Sequence, residues 1–434
     1  MKKQTYGLIS NIIYLYKELF SFEKSTKFTF PISMLTKIFL PATTLVIPSA
    51  AVYAVENQIA AEQFFLIMAG FIFIFAAVKI CDMLAENRYS MQCMIIRCYR
   101  FNQKLLRKVL TMDFMNCEKN ENQKLIGRAK YGALASNWTG IERVYKELPN
   151  VLFNAAGLFL YGGAILSVDY KILFVLFFML VSNILTNRFA RNYMNRHLEE
   201  NTEIIRKTNY LSNNSCKMES GKDIRIFHME RWFGKLFEWY IKKGNEWQKK
   251  VEKHFYLPSA SDAVFLALRD GIGYYILIQT AVHGEISLAG FTFMLGIIAG
   301  FSNWLFGLMS GVTELLNANK AVSSYREALD LPDSFLHERG IKMTKDFSVP
   351  PKIELKNVTF RYKEEDRNVL SNISLTIQPG EKIALVGGNG AGKTTLVKLL
   401  CGFYHPTEGE ILVNSVSIED YNIEEYHKII GAVF

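Results

Sequence analysis

The sequence lacks the cysteine spacings that are typical of disulfide-rich and zinc-binding proteins. Its six cysteines include no C-x-x-C pair and form no cluster with histidine: Cys81, Cys93, Cys98, Cys117, Cys216 and Cys401. This pattern argues against a disulfide framework and a zinc site, and it predicts reduced thiols. A cleavable signal peptide is not expected either, because no short apolar core with a small-residue cleavage site follows Met1-Lys2-Lys3.

Charged residues are scarce in several long apolar runs. Half of the 434 residues are hydrophobic, and the long runs lie in the first three quarters of the chain. Six segments approach the roughly 20 apolar residues that a membrane-crossing helix needs: Phe28–Val55, Phe64–Cys81, Pro149–Val168, Ile172–Leu185, Ala263–Val282 and Ile286–Val312. Ile172–Leu185 is short for a membrane-spanning helix. We nevertheless predict that it crosses the membrane, because of its place in the series of apolar segments. Residues 1–331 are therefore predicted to form an all-α membrane domain with six transmembrane helices.

Lysine and arginine crowd the N-terminus and the two long connections, 82–148 and 186–262, whereas the short links carry only Lys171. The positive-inside rule then predicts a multi-pass cell-membrane protein with both termini and both long connections in the cytoplasm. The net charge of +9 could also suggest nucleic acid. No base-reading module accompanies the basic helices, so we expect them to face water and membrane lipids, with no nucleic-acid partner.

Two features of the membrane domain carry further expectations. Asn11–Phe22 has the pattern of a short amphipathic helix lying along the inner leaflet. Arg269 and Asp270 fall near the middle of the fifth span, where ionisable groups are costly. They fit either a substrate pathway or a structural ion pair at an aqueous vestibule, and both interpretations stay open.

A glycine-rich loop carries the chemistry of the last part of the chain. Its residues have the G-x-x-x-x-G-K-[ST] spacing of a phosphate-binding loop: Gly387, Gly388, Asn389, Gly390, Ala391, Gly392, Lys393 and Thr394. The glycines let successive backbone N–H groups turn toward phosphates. Lys393 can place a cation against the β and γ phosphates, and the Thr394 hydroxyl can ligate Mg²⁺. Thr395 and Tyr362 complete the predicted nucleotide-binding residues.

The context of this loop predicts a partial α/β P-loop NTPase domain at residues 353–434. Lys382–Val386 has the pattern of a strand that enters the loop, and Thr394–Leu400 that of a helix that leaves it. Ile353–Phe360 and Ile373–Ile377 are predicted to be further strands. A polar linker at 332–352, ending in Pro350-Pro351, marks the domain boundary.

Taken together, these features resemble the ATP-binding-cassette (ABC) transporters, in the exporter type that fuses six spans to one cassette. Phe360-Arg361-Tyr362 stands where the family has an aromatic residue that stacks on adenine. His405–Ile411 and Lys222–Phe227 are similar to two further patterns of the family. The resemblance implies ATP and Mg²⁺ as cofactors, and a second half-transporter chain, identical or related, as partner. It also implies export of a substrate that the sequence does not identify, with helix turns near Glu118–Gln123 and Asn213–Glu219 transmitting the conformational switch.

The chain departs from the family pattern after Thr394. The cassette's glutamine, its LSGGQ-type signature, its apolar strand ending in Asp-Glu and its switch histidine do not occur in residues 395–434. No catalytic residue is therefore assigned. Ile429–Phe434 looks like an apolar strand without partners, and we expect a C-terminally truncated cassette that cannot hydrolyse ATP alone.

Two alternatives remain beside the transport ATPase. One is a non-catalytic membrane subunit that binds ATP or a partner. The other is a membrane-tethered P-loop kinase or GTPase, although residues 395–434 show none of the base-specific or lid motifs that this reading requires.

Overall fold

A computed structural model describes residues 6–166, 171–337, 339–342, 350–362 and 367–433. The side chains of some helical residues, Arg269 among them, lie outside this description. The chain divides into two compact units. The first unit comprises Met1–Lys27, Arg88–Glu147 and Thr313–Phe434, and the second unit comprises Phe28–Asn87 and Leu148–Val312.

Helices account for most of the described chain. In order they are α1 (Leu8–Phe22), α2 (Thr26–Glu56), α3 (Ala61–Ile95), α4 (Asn102–Thr111), α5 (Phe114–Glu118), α6 (Asn120–Arg128), α7 (Gly140–Leu166), α8 (Lys171–Arg196), α9 (Leu198–Ser215), α10 (Ser220–Ile226), α11 (Glu230–Val282), α12 (Leu288–Leu329), α13 (Lys393–Leu400) and α14 (Ile423–His427). The strands are β1 (Ile353–Phe360), β2 (Leu370–Ile377), β3 (Glu408–Val413) and β4 (Val416–Ser417). π-Helical turns at Ile96–Phe101 and Ala129–Ala133 extend α3 and α6.

Within the described residues, four helical stretches are long and apolar enough to cross a membrane: Thr26–Glu56, Ala61–Thr111, Gly140–Leu166 and Leu288–Leu329. They contain the predicted first and second spans and most of the third and sixth. The last two residues of the predicted third span, Ser167 and Val168, lie outside the described residues, and the helix of the sixth begins at Leu288, two residues after the predicted start. The predicted fourth and fifth spans lie within α8 and α11. Ala61–Thr111 is 51 residues long. A bilayer takes up only about 20 of them, as expected for a helix that continues past the membrane.

Polar contacts and close packing hold the second unit together. Ser182 and Ser261 share a hydrogen bond of 2.7 Å, and Asn183 Nδ2 donates to the Asp262 carboxylate at 2.7 and 2.8 Å, joining α8 to α11. Elsewhere α7 approaches α12 so closely that a Cβ added at Gly157 would lie 2.3 Å from the Trp304 ring. Small residues such as glycine let membrane helices approach closely. Close approach matters because helices within a membrane are held together by packing contacts rather than by burial of apolar surface from water.

The predicted amphipathic helix forms, as α1. Its buried face, with Leu15 and Leu19 fully buried, packs within the first unit. Asn11 Nδ2 donates to Asn319 Oδ1 at 2.7 Å and to Ser323 Oγ at 2.9 Å, which ties α1 to the C-terminal part of α12. These bonds satisfy a buried amide that would otherwise destabilise the helix contact.

The sheet of the first unit is antiparallel throughout, in the order β2-β1-β3-β4. The predicted strand Ile353–Phe360 is confirmed, and the second predicted strand begins three residues earlier, at Leu370. Register shifts interrupt the pairing of β1 with β3 between Lys356 and Thr359. There Gly409 has φ +82°, and an added Cβ would lie 2.4 Å from the Asn357 carbonyl oxygen.

Two strand predictions were wrong. Lys382–Val386 has no strand partner among the described residues, and Val386 is 93% exposed. This segment has the apolar composition of a strand. A strand forms only when it pairs with neighbouring strands, however, and the sheet of β1 to β4 does not extend to it. Residues 429–433 are likewise irregular: Ile429 and Ile430 pack against the core beneath the sheet, whereas Val433 is exposed. Phe434 lies outside the described residues.

Candidate nucleotide site and the first cytoplasmic turn

The phosphate-loop residues lead directly into a helix, as predicted. Residues 387–391 are exposed, and α13 begins at Lys393. Gly390 and Gly392 have φ of +81° and +85°, the left-handed region that glycine enters without strain. At Gly392 an added Cβ would lie 2.7 Å from Leu370 Cδ2, so β2 fixes the position of the loop's last glycine. The backbone N–H groups in the first turn of α13 have no acceptor within the helix, so they can donate hydrogen bonds to a bound anion.

The loop lysine lies over its own loop. Lys393 Nζ donates to the carbonyl oxygens of Gly387 and Gly388 at 2.7 and 2.8 Å. An ammonium has three N–H donors, so this arrangement folds the loop around the cation and leaves donor capacity for a phosphate oxygen. Added Cβ atoms at Gly388 and Gly390 would meet nothing within 4 Å. The loop therefore presents open space beside a positive charge.

The two threonines that follow the lysine differ in exposure. Thr394 is exposed, where its hydroxyl can reach a bound cation. Thr395 is buried, and its Oγ1 lies 3.2 Å from Tyr362 Oη. The structure thus brings Tyr362, predicted from its place ahead of the loop, to the N-terminal turn of α13.

Tyr362 belongs to an aromatic cluster. Its ring centroid lies 4.9 Å from that of Phe360 and 5.4 Å from that of Tyr404, in edge-to-face arrangements of 82° and 90°. Such contacts fix the plane of the Tyr362 ring before any ligand binds. A cavity of about 950 Å³ adjoins the cluster, lined among others by Tyr362, Tyr404 and Glu118. The residues present fit a nucleotide, with a basic, glycine-lined loop for phosphates and a fixed aromatic ring for a base.

The predicted first cytoplasmic turn, formed by α5 and the start of α6, packs against this domain within the first unit. In α5, Phe114 stacks on Phe403 with 4.8 Å between ring centroids. Glu118, at the end of α5, accepts a hydrogen bond from Tyr404 Oη and lies 3.3 Å from Lys398 Nζ. Burial and then the hydrogen bond to Glu118 raise the pKa of the Tyr404 phenol, so it remains a donor at neutral pH.

Sequence reasoning placed this turn at Glu118–Gln123, close to its position in the structure, but did not identify its contacts. The aromatic residues Phe114 and Phe403 were the available signal, since a large ring in a polar turn requires a partner. The second predicted turn, Asn213–Glu219, agrees with the break between α9, ending at Ser215, and α10, beginning at Ser220.

The start of the predicted linker is also ordered. Asp113 accepts hydrogen bonds from the backbone N–H groups of Ser334 and Phe335, and Asn116 Nδ2 donates to the Pro332 carbonyl at 2.7 Å. On the other side, Ile423 N donates to the Leu336 carbonyl at 2.9 Å. The sequence indicated a polar linker here, and the backbone groups at its start are hydrogen-bonded on both sides.

The last part of the chain matches a known protein family. Residues 370–434 match the ABC transporter family. The subtilin transport ATP-binding protein of Bacillus subtilis is 26% identical over 231 residues, 53% of this chain and 37% of that protein. A bacterial Atm1-family ABC exporter solved with ATP bound superposes with a TM-score of 0.67 at 16% identity, covering 91% of this chain and 69% of the other.

The chain carries an ABC transporter family match over residues 370–434 and has the fold of an ABC exporter. It combines the fused membrane domain with part of a nucleotide-binding domain, and it is a multi-pass membrane protein. Other similar proteins are the probable microcin-H47 secretion/processing ATP-binding protein of Escherichia coli, 35% identical over 29% of this chain, and the ATP-dependent lipid A-core flippase of Aromatoleum aromaticum, 44% identical over 20% of it. These alignments span 18% and 14% of the two relatives.

Proposed function

We propose that this ABC exporter chain binds ATP with Mg²⁺ and serves ATP-driven export across the cell membrane as a half-transporter. The observation that carries the proposal is the loop itself: Lys393 beside open, glycine-lined space at the start of α13, with Tyr362 held at the same helix end. The family match and the relatives named as transport, secretion or flippase proteins support it.

Each residue of the loop has a separate task in this proposal. The N–H groups that precede α13 and the ammonium of Lys393 hold the phosphates, whose charge is also favoured by the helix N-terminus. The exposed Thr394 hydroxyl would hold Mg²⁺, whose chemistry there would be to neutralise phosphate charge. Tyr362 stacks on the base. The partly buried hydrogen bond between Tyr362 and Thr395 keeps the base-binding ring and the phosphate loop in one arrangement.

We further propose that the partner is a second half-transporter chain. In this architecture two cassettes close over nucleotide, and the phosphate loop of one chain requires the signature of another. The signature that closes on the loop of this chain would come from that partner, and residues 395–434 themselves contain none. The transported substrate is not assigned, because the fold serves many cargoes.

A second candidate function is a membrane subunit that binds ATP without hydrolysing it. Residues 395–434 contain no apolar strand that ends in an acid, a group that hydrolysis in this architecture requires. Both candidates share nucleotide binding, and the hydrolysis experiment in the Discussion separates them.

Replacing Tyr362 by leucine should weaken ATP binding about two- to twelvefold, because one aromatic contact contributes roughly 0.5–1.5 kcal/mol beyond its buried area. Binding of inorganic tripolyphosphate should not change, since it has no base. The measurement is a titration of the purified chain in nanodiscs with labelled ATP, with tripolyphosphate as competitor. Tyr362→Phe is the matched control: it keeps the ring and loses only the hydroxyl contact with Thr395. Equal ATP affinity in the leucine variant would remove Tyr362 from the site.

The proposed orientation has both termini and both long connections in the cytoplasm. A single cysteine introduced at Asn57 should react with an impermeant thiol reagent added outside, in a variant without the six native cysteines. A single cysteine at Asn122 should react only after the membrane is opened. Asn57 follows α2 and Asn122 lies in α6, so both report on a defined position. The reverse labelling pattern would overturn the proposed topology.

A further inference from the structure

The segment Asp333–His337 lies between α5 and the end of the described cassette, and His337 contacts acids on both sides. His337 Nε2 is 3.1 Å from Asp113 Oδ1, just before α5, and Nδ1 is 2.7 Å from Glu424 Oε1 in α14. The Asp113 side chain is only 4% exposed, whereas that of Glu424 is 47% exposed. The imidazole is thus the only described side chain seen to bridge these two carboxylates.

The protonation state of a histidine in this position can be argued from donors and acceptors. A neutral imidazole has one N–H and one lone pair, whereas the imidazolium has two N–H donors. Only the imidazolium can donate to Asp113 and Glu424 together. After loss of a proton, one ring nitrogen presents its lone pair to a carboxylate oxygen, which is repulsive.

The other charged groups at this point favour the same state. Asp333 also faces the cluster, and its carboxylate is bound to Lys108 Nζ at 2.5 Å. When His337 is protonated, the carboxylates of Asp113, Glu424 and Asp333 therefore lie near two cations. These are the His337 imidazolium and the Lys108 ammonium. Burial lowers the pKa of His337, but the hydrogen bonds to Glu424 and Asp113 and the charges of Glu424 and Asp333 raise it by more, and the net direction is upward.

We propose that His337 is a proton-dependent clasp that fastens the first cytoplasmic turn to the cassette. The clasp is closed when the imidazole is protonated and loosens when it is not. It lies where α5, the linker and α14 meet, so its state controls how firmly the cassette follows movements of α5. This inference concerns the first unit alone and does not depend on whether the chain hydrolyses ATP.

The sign of the pH dependence follows from the raised pKa. A cationic group whose pKa is higher in the closed state stabilises that state fully below the pKa of the open state. The stabilisation is lost as the pH rises through the closed-state pKa. We therefore expect the contacts of α5 and the linker to open more often on the alkaline side of neutrality.

The experiment is amide hydrogen exchange on the full chain in nanodiscs, from about pH 6 to about pH 9, which brackets the ordinary histidine pKa of about 6.5. Rates are corrected for the intrinsic pH dependence of exchange. In the unmodified chain, protection of residues 113–118 and 332–337 should fall severalfold as the pH rises. In His337→Gln it should be low and independent of pH.

Two further variants keep the test decisive. Glu424→Gln removes one of the two acids at a half-exposed position, and the loss of protection should then move to lower pH, even if His337→Gln folds poorly. His405→Gln is the matched control: His405 Nδ1 lies 2.7 Å from Glu419, so a neutral ring can satisfy it, and the ring stacks on Phe335 of the same segment. The pH dependence should persist there. Identical pH profiles in the unmodified chain and in both the His337 and Glu424 variants would overturn the proposal.

Discussion

Replacing Lys393 by alanine should weaken ATP binding at least about tenfold, a loss of about 1.4 kcal/mol. The physical reason is that the ammonium is the positive charge that the loop itself holds in place, through the carbonyl oxygens of Gly387 and Gly388. Its removal deletes a charge-assisted hydrogen bond to phosphate and also leaves the two carbonyl groups without that donor. ATP and tripolyphosphate should both bind more weakly, in contrast to the Tyr362 variant.

The measurement is equilibrium binding of labelled ATP to the purified chain with Mg²⁺ present. Lys382→Ala is the matched control, because it removes the same charge from an exposed position ahead of the loop. It should bind ATP nearly as the unmodified chain does. Thermal unfolding of both variants separates a binding defect from a folding defect. Unchanged affinity in the Lys393 variant would remove the loop from the proposed function.

Local signals predicted the glycine-rich loop and the helix that follows it. The glycine spacing, Lys393 and the following helix are determined by neighbours in sequence, and the structure has them at the expected positions. The same holds for β1, whose alternating residues Ile353–Phe360 form a strand with the predicted bounds. Tyr362 was harder to assign. Its predicted role rested on its position ahead of the loop in the sequence. The spacing gave no indication of its hydrogen bond to Thr395.

The errors share one cause. Lys382–Val386 and Ile429–Phe434 have strand-like composition, but whether a strand forms depends on partners elsewhere in the chain. Amphipathic pattern likewise indicated α1 and could not say that Asn11 would bond Asn319 and Ser323. Long-range contacts of this kind have no local sequence signal.

The linker shows the same limit in a functional setting. Its composition indicated a domain boundary, and this stays a prediction. The hydrogen bonds of Asp113 to Ser334 and Phe335 join positions more than 200 residues apart in sequence. Asp113 was not singled out from the sequence, because an acid before a short helix is ordinary. Its importance follows only from what lies beside it in the first unit.

Residues 1–434 alone should bind ATP without hydrolysing it. Phosphoryl transfer in this architecture is positioning and charge stabilisation, and the loop supplies only part of both. Lys393 and Thr394 can hold phosphates and Mg²⁺. Residues 395–434 contain no apolar strand ending in an acid to orient the attacking water, and no signature to close on the γ-phosphate of a second copy. A dimer of this polypeptide has the same deficit as one chain.

The measurement is phosphate release by the purified chain in nanodiscs, with Lys393→Ala as the control for contaminating ATPase. We expect the same background rate from both, although only the unmodified chain binds labelled ATP. Adding a cassette that carries the signature and the Asp-Glu strand end in a partner chain should not by itself restore turnover at the Lys393 loop, because the water-orienting acid acts in the chain that holds the nucleotide. Extending this chain through those motifs should restore it. Turnover by residues 1–434 that disappears in the Lys393 variant would show that groups within the present sequence orient the water, and would favour the transport ATPase over the non-catalytic subunit without any extension.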